Sequence, residues 1–422
     1  MRNLQKLAAG AIEDILDGAA LHQVLPQRLR QLATPGERGA LQDIVYGSLR
    51  HLGRLNVWLD ALLERPLTDP QLGFLLRVAL YQLAYTRAPA HAIVYNAVTA
   101  AGEGWRRGLA NAVLRNFQRR RAELEKIADA TPEGRWSHPG WWIEKLQADY
   151  PAQWQSILQA GLEHPPFTLR VNCRHGDVAS YLQRLADTGL TARQTGPAAV
   201  TLDKAVAVHA LPGFAEGHVS VQDAGAQWAA VLLDAQPGQR VLDACAAPGG
   251  KTGHILELAD VDLTALDMDA TRLARVQDNL DRLGVKARLL QGDAAKPETW
   301  WDGQPFDRIL ADVPCSASGV TRRNPDIKWL RRPDDIAGFA RQQAVMLDAL
   351  WQCLAPGGKL LYATCSVFNE ENDLRVQTFV ARQRASGLGN VERRPLPEAL
   401  ENNRILPDAE HDGFFYALLR KA

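Results

Sequence analysis

The sequence lacks any long uncharged run. In 422 residues the longest stretch free of Asp, Glu, Lys and Arg is the 15 residues from Ala88 to Gly102, and it contains Pro89, His91 and Asn96. A membrane-spanning helix needs about 20 predominantly apolar residues, so no membrane partner is expected. The opening stretch, MRNLQKLAAGAIEDILDGAALHQ, places Glu13, Asp14 and Asp17 where a secretion signal keeps its apolar segment intact, and a soluble, cytoplasmic protein is expected. Cysteine is also scarce: Cys173, Cys245, Cys315, Cys353 and Cys365 are odd in number, scattered, and contain no C-x-x-C pair. That excludes a disulfide framework and offers no zinc-ligand spacing, so no metal is expected, while thiol chemistry stays open. Gly (33) and Pro (23) are near the average for globular chains, so disorder is not the default.

Net charge is absent as well, with 48 basic and 48 acidic side chains. The balance hides an asymmetry, because residues 1–126 carry 17 Lys or Arg against 11 Asp or Glu. Fifteen of those 17 cations are arginine, the side chain suited to bidentate phosphate contacts. Arg106, Arg107, Arg119 and Arg120 are the candidate RNA contacts in this region; a solvated helix face is the alternative reading.

At about 150 residues per domain the length suggests two or three domains. From Leu4 to about Ala128 apolar residues recur three and four apart, as in LGFLLRVALYQLAY (72–85), with breaks at Pro35-Gly36, Pro66, Pro70 and Pro89. An all-helical domain of five to seven helices is expected over 1–130. Residues 131–222 read as a small α+β module: a Trp-rich helix near Trp141 to Tyr150, strands at FTLRVN (167–172) and AVTLD (199–203), and a helix at 178–189 between them. Over 223–422 strand-like runs at 240–244, 262–267, 287–291, 307–312 and 359–364 alternate with helical runs at 251–258, 271–283, 335–353 and 369–383. Such alternation implies right-handed βαβ units, hence an open, mostly parallel α/β sheet with ligands beyond its carboxyl edge.

The first strand of that sheet runs into Asp243-Ala-Cys-Ala-Ala-Pro-Gly-Gly-Lys251-Thr, a tight loop of small residues before a helix. Backbone N–H groups there can approach a nucleotide-like ligand closely; a packing turn is the alternative. Asp267 ends the second strand, where a carboxylate can accept both ribose hydroxyls, and Asp293 follows the third, placed to meet an adenine edge. Either acid alone could be a helix cap. Successive acidic strand ends beside a compact Gly loop, with no phosphate-binding basic signature, fit an adenosine ligand without a pyrophosphate better than a dinucleotide. S-adenosylmethionine has that form.

The fourth strand ends in Asp312-Val-Pro-Cys315 and the fifth in Ala363-Thr-Cys365, so two thiols arrive at one sheet edge. A free cysteine is usually a small buried hydrophobe. Cys365, however, precedes the helix expected from Asn369, whose N-terminus would lower a thiol pKa, and Cys315 follows a proline in a turn of small residues.

AAPGGKT (246–252), DVPCSASG (312–319) and ATCSVFNEEN (363–372) resemble motifs of the RNA cytosine-5 methyltransferase family. The front end, with HAIVYNAV (91–98) and GLANAVLRNF (108–117), resembles a NusB-type RNA-binding domain. The resemblance covers essentially the whole chain and is nearest to bacterial members acting on small-subunit (16S) ribosomal RNA. It implies a NusB-like helical domain, a small α+β linker domain and a Rossmann-like class I methyltransferase domain. It further implies Cys365 as the nucleophile, Cys315 as the group assisting product release, and Asp312 as the acid beside the cytosine ring. Cys245, Ala246, Ala247, Pro248, Gly249, Gly250, Lys251, Asp267, Asp293 and Asp312 match its cofactor-binding positions, with Lys251 free to pair either with the cofactor carboxylate or with Asp312. Two departures, Val313 where the family often has alanine and Gly225 where it often has serine, remove no functional group.

After the second motif comes TRRNPDIKWLRR (321–332), with Arg322, Arg323, Lys328, Arg331 and Arg332 against Asp326 alone. These cations are the candidate RNA-backbone contacts near the site, and Trp329 could stack on a base or simply pack. A monomer acting on ribosomal RNA is expected. The alternatives are the same chemistry on transfer RNA, or an RNA-binding assembly factor that keeps the scaffold without the reaction.

Overall fold

The structure, a computed structural model, describes residues 2–385, 391–397, 400 and 403–422. The chain divides into two compact units, Met1–His164 with Thr321–Pro333, and Pro165–Val320 with Asp334–Ala422. The second crossing of the chain was not legible in the sequence. The Trp-rich helix expected near Trp141 to Tyr150, with its neighbours at 132–160, groups with the first unit.

The first unit is helical: α1 (Arg2–Leu16), α2 (Leu21–Leu29), α3 (Pro35–Arg50), α4 (Leu52–Leu62), α5 (Pro70–Tyr85), α6 (Ala90–Ala100), α7 (Trp105–Asp129), α8 (Pro132–Trp136), α9 (Gly140–Asp149) and α10 (Trp154–Ala160). Prolines start several of these helices. Pro35 and Pro70 occupy first-turn positions, where a missing N–H costs nothing, behind the caps Thr34 and Asp69. Thr34 and Glu37 form a reciprocal capping box. Leu, Ile and Val from α1, α3, α4, α5 and α7 fill the core around Trp58, which is fully buried and donates its indole N–H to Leu124 O at 3.1 Å.

The second unit opens with a four-stranded antiparallel sheet: β1 (Phe167–Val171), then α11 (Val178–Asp187), β2 (Ala192–Gln194), β3 (Ala199–Leu202) and β4 (Val219–Val221), in the order β2-β3-β1-β4. β2 and β4 are three residues each, too short to show alternation in the sequence. After α12 (Ala224–Leu233) the large sheet begins: β5 (Arg240–Asp243), α13 (Gly250–Leu258), β6 (Asp262–Asp267), α14 (Ala270–Leu283), β7 (Arg288–Gln291) and β8 (Phe306–Asp312). The chain then contributes α15 (Ile327–Leu330) to the first unit and returns through α16 (Pro333–Gln352), β9 (Leu354–Thr364), α17 (Asp373–Ala385), β10 (Val391–Arg394), β11 (Arg404–Ile405) and β12 (Phe414–Lys421).

The strand order is β10-β12-β9-β8-β5-β6-β7. Five strands, β7 to β9 in that order, are parallel, and β12 enters antiparallel between β9 and β10. Phe415, Tyr416, Ala417 and Leu419 of β12 are completely buried. The order turns back between β5 and β8, which opens the ligand crevice beyond their carboxyl ends.

Candidate active site

The loop after β5 is shaped by a left-handed glycine. Gly249 has φ +97°, and a Cβ there would lie 3.1 Å from Val276 Cα, so the loop and α14 approach each other as only glycine permits. Asp267 holds the loop from the neighbouring strand: its carboxylate accepts from Ala247 N and Asp269 N, each at 3.1 Å. Arg272 completes the clasp by donating to Ala247 O at 2.9 Å. Beneath it Asp243 accepts from the Thr252 hydroxyl at 2.7 Å, and burial pushes its carboxyl up to about 7.

A cavity of about 250 Å³ opens at this edge, walled by Ala244, Cys245, Ala247, Asp267, Met268, Arg272, Gly292, Ala294, Asp312, Val313, Pro314, Cys315, Ala317, Gln342, Met346 and Cys365. Two acids, one guanidinium and apolar walls suit a ligand with a hydroxylated ring and a planar base. Of the sequence candidates, Cys245, Ala247, Asp267, Asp312, Cys315 and Cys365 line it. Ala246, Pro248, Gly249, Gly250 and Lys251 are not among its lining residues. Asp293 sits between two lining residues with its carboxylate on Ala295 N at 2.9 Å. Lys251, whose partner the sequence left open, donates to Asp312 at 2.6 Å. Burial works against its ammonium, but the Asp312 charge and hydrogen bond outweigh it and the net shift is upward.

The two thiols meet. Cys315 Sγ and Cys365 Sγ are 3.4 Å apart, brought together because β8 and β9 are parallel neighbours with Asp312 paired to Ala363. The hydrogen bond to Cys365, with burial, pushes the Cys315 thiol well up. One expectation is corrected here. The helix expected from Asn369 begins at Asp373, so Cys365 is eight residues from its first turn and outside the reach of its dipole. Burial also pushes the Cys245 thiol well up, leaving it a wall group.

A network that the sequence did not reveal joins the thiol turns. Glu371, fully buried, accepts from Ser316 N at 2.8 Å, Ser366 Oγ at 2.6 Å and Gln343 Nε2 at 3.1 Å. The hydroxyls of Ser316, Ser318 and Ser366 lie 3.0–3.1 Å from one another, and Gly319 N donates to Cys365 O at 2.9 Å. Small hydroxylated residues beside both cysteines were the available signal.

The basic segment 321–332 behaves differently from its expectation. Lys328 is completely buried and donates to Arg50 O at 2.8 Å; Trp329 donates to Leu49 O at 2.7 Å. Both thereby donate to carbonyls of the last turn of α3, where intrahelical partners run out. Arg322 is 2% exposed, and its carbonyl accepts from Arg50 Nη2 at 2.9 Å. Burial pushes the Lys328 ammonium well down. Lys328 and Arg322 are therefore packing groups of the helical unit, out of reach of a phosphate backbone, and Trp329 packs. Arg323 and Arg331 are half-buried and Arg332 is exposed. In α7, Arg107 and Arg119 are exposed, while Arg106 pairs with Asp69 at 2.5 Å and Arg120 with Glu123 at 2.8 Å.

The strand order, the glycine loop on β5 and the acid ending β6 define a Rossmann-like methyltransferase domain. Comparison with known proteins carries this further. Residues 230–420 match the 16S rRNA methyltransferase RsmB/F family, residues 138–209 the ferredoxin-like domain of that group, and residues 2–119 the NusB family. The chain is 47% identical over 429 aligned positions to the ribosomal RNA small subunit methyltransferase B of Salmonella paratyphi B, covering 99% of both chains. It is equally identical to the protein of that name from Vibrio cholerae, with 99% and 98% covered. The crystal structure of a methyltransferase homolog from Pyrococcus horikoshii, 29% identical, matches 69% of this chain and 97% of its own with a TM-score of 0.59. The chain belongs to the RsmB/F family of 16S rRNA methyltransferases.

Proposed function

We propose that the protein transfers a methyl group from S-adenosylmethionine to carbon 5 of a cytosine in small-subunit ribosomal RNA, through a covalent bond between Cys365 and carbon 6. The observation that carries this reading is the pair of sulfurs 3.4 Å apart on the wall of one cavity with Asp312. Carbon 5 of cytosine is a weak nucleophile. Attack of the Cys365 thiolate on carbon 6 turns the ring into an enamine whose carbon 5 can take a methyl group. The carbon 5 proton then passes to water, the double bond re-forms as the carbon 6–sulfur bond breaks, and the Cys365 thiolate is expelled. Cys315, kept as a thiol beside the leaving sulfur, assists that last step.

Asp312 faces the ring and accepts a hydrogen bond from its exocyclic amino group, which orients the base for attack, and Lys251 holds that carboxylate in place. The methyl donor supplies an electrophilic carbon on a sulfonium. Asp267 fits its ribose hydroxyls, and Met268, Ala294 and Met346 fit an adenine face. Small-subunit ribosomal RNA as substrate is supported by the names of the relatives that match end to end. Arg107, Arg119 and Arg332, which are exposed, are the cations placed to contact its phosphates. A target base must be single-stranded or flipped to reach the thiols.

The test is incubation of the purified protein with labelled S-adenosylmethionine and separate pools of unmodified ribosomal and transfer RNA, followed by nucleoside analysis. Label in 5-methylcytidine of the small-subunit pool is expected. Label confined to transfer RNA overturns the substrate, and label on another nucleoside overturns the chemistry.

A further inference from the structure

The carboxylate of Glu371 touches the residue after each cysteine. Ser316 follows Cys315 and gives it a backbone N–H at 2.8 Å; Ser366 follows Cys365 and gives it a hydroxyl at 2.6 Å. Its third donor, Gln343 Nε2, also bonds Pro314 O at 3.0 Å, on the other side of Cys315. The main chain of Glu371 is pinned separately, its carbonyl accepting from Tyr362 OH at 2.6 Å. A buried group that accepts three hydrogen bonds is costly to place and costly to lose, and nothing in the methyl transfer requires one at this depth.

We propose that Glu371 is the positioning residue of the thiol pair: it locks the two cysteine turns against each other and, as a negative charge beside Cys315, selects Cys365 as the sulfur that attacks. This rests on the reading of Cys365 as the nucleophile. The electrostatics point in the same sense. Glu371 is among the groups that push the Cys315 thiol up, after the hydrogen bond to Cys365, burial and the Cys365 charge. A buried carboxylate bonded to the backbone of the next residue disfavours the thiolate form of Cys315.

The test is thiol alkylation of the purified full chain with iodoacetamide, resolved by peptide mass spectrometry, without RNA or methyl donor. In the wild type Cys365 reacts about tenfold or more faster than Cys315. Glu371→Gln, which keeps the shape and removes the charge, raises the Cys315 rate by about tenfold and moves Cys365 by less than about threefold. Ser366→Ala, which removes one hydrogen bond and keeps the charge, leaves Cys315 slow. Equal acceleration of both thiols in Glu371→Gln, no acceleration, or acceleration of Cys315 in Ser366→Ala as large as in Glu371→Gln each overturns the proposal. If Glu371→Gln does not fold, a wild type in which Cys315 reacts first overturns it. Because no methyl transfer is measured, a failure to form 5-methylcytidine is distinguishable from a failure here.

Discussion

Lys251 and Asp312 form a 2.6 Å ion pair that fastens the loop after β5 to the end of β8, three residues before Cys315. Their side chains are 16% and 26% exposed, so the pair is worth less than a fully buried one. Lys251→Met should cost about 2 kcal/mol in urea unfolding at neutral pH. The raised ammonium contributes stability that is present below its ordinary value of 10.5 and is lost as pH rises through the higher folded value. The wild-type advantage over Lys251→Met should therefore persist at pH 9. Asp312→Asn should lower the single-turnover methylation rate by about 100-fold; a rate within about threefold of wild type removes Asp312 from the reaction.

Arg170 of β1 is completely buried and donates to both oxygens of Glu257 at 2.8 and 2.6 Å, to Gln222 at 2.6 Å and to Gly250 O at 2.7 Å. Arg170→Met leaves the Glu257 carboxylate buried without its partner and should destabilise the protein by about 3–5 kcal/mol. The double variant Arg170→Met with Glu257→Leu should recover most of that, as read from urea midpoints. A single variant as stable as the wild type would show that the pair carries no weight.

Asp243 supplies a dependence on acid. Its folded carboxyl stands at about 7 against an ordinary 3.8, so between those values the folded state holds a proton that the unfolded chain has released. By linkage this makes its contribution favourable at low pH and progressively lost as pH rises from about 4 to about 7. Asp243→Asn keeps an acceptor for Thr252 and should flatten that slope, with up to about 4 kcal/mol separating the two profiles across the window. Denaturation measured at intervals across it checks the sign; parallel profiles would rule the carboxyl out as its source.

The free sulfurs need move only from 3.4 Å to the roughly 2.05 Å of a bond. Diamide should accordingly convert Cys315 and Cys365 to a disulfide, with loss of two hydrogens and of methyl transfer, both restored by dithiothreitol. Failure to find the Cys315–Cys365 linkage by peptide mapping, after activity is lost, would place the sensitive thiol elsewhere.

Much of this was legible in the chain. Period-two and period-3.6 patterns located β5, β6, β7, β8 and the helices between them within a few residues, because buried strands and amphipathic helices write their burial into local order. The cysteines, Asp267 and Asp312 were found because strand ends converge on one edge. The antiparallel β12 was not found: its run FFYALL is apolar on both faces and carries no direction. Glu371 went unnoticed because burial distinguishes it from the adjacent Glu370, and adjacent carboxylates look alike in a sequence. Lys328 misled for the converse reason. A cation in a basic run reads as surface until a helix end, here the Leu49 and Arg50 carbonyls, takes up its stretch of chain.

The chain passes between its two units three times, at 164/165, 320/321 and 333/334. One proteolytic nick cannot part them, since cleavage after His164 leaves two covalent bridges through Thr321–Pro333. Transplanting the residues from Pro165 onward behind a foreign RNA-binding module would strand Lys328 and Trp329 without the helix end that receives them. A graft at 164/165 would deliver a sticky, half-empty insert between β8 and α16, so this enzyme is modular in appearance but not in the hands of a protein engineer.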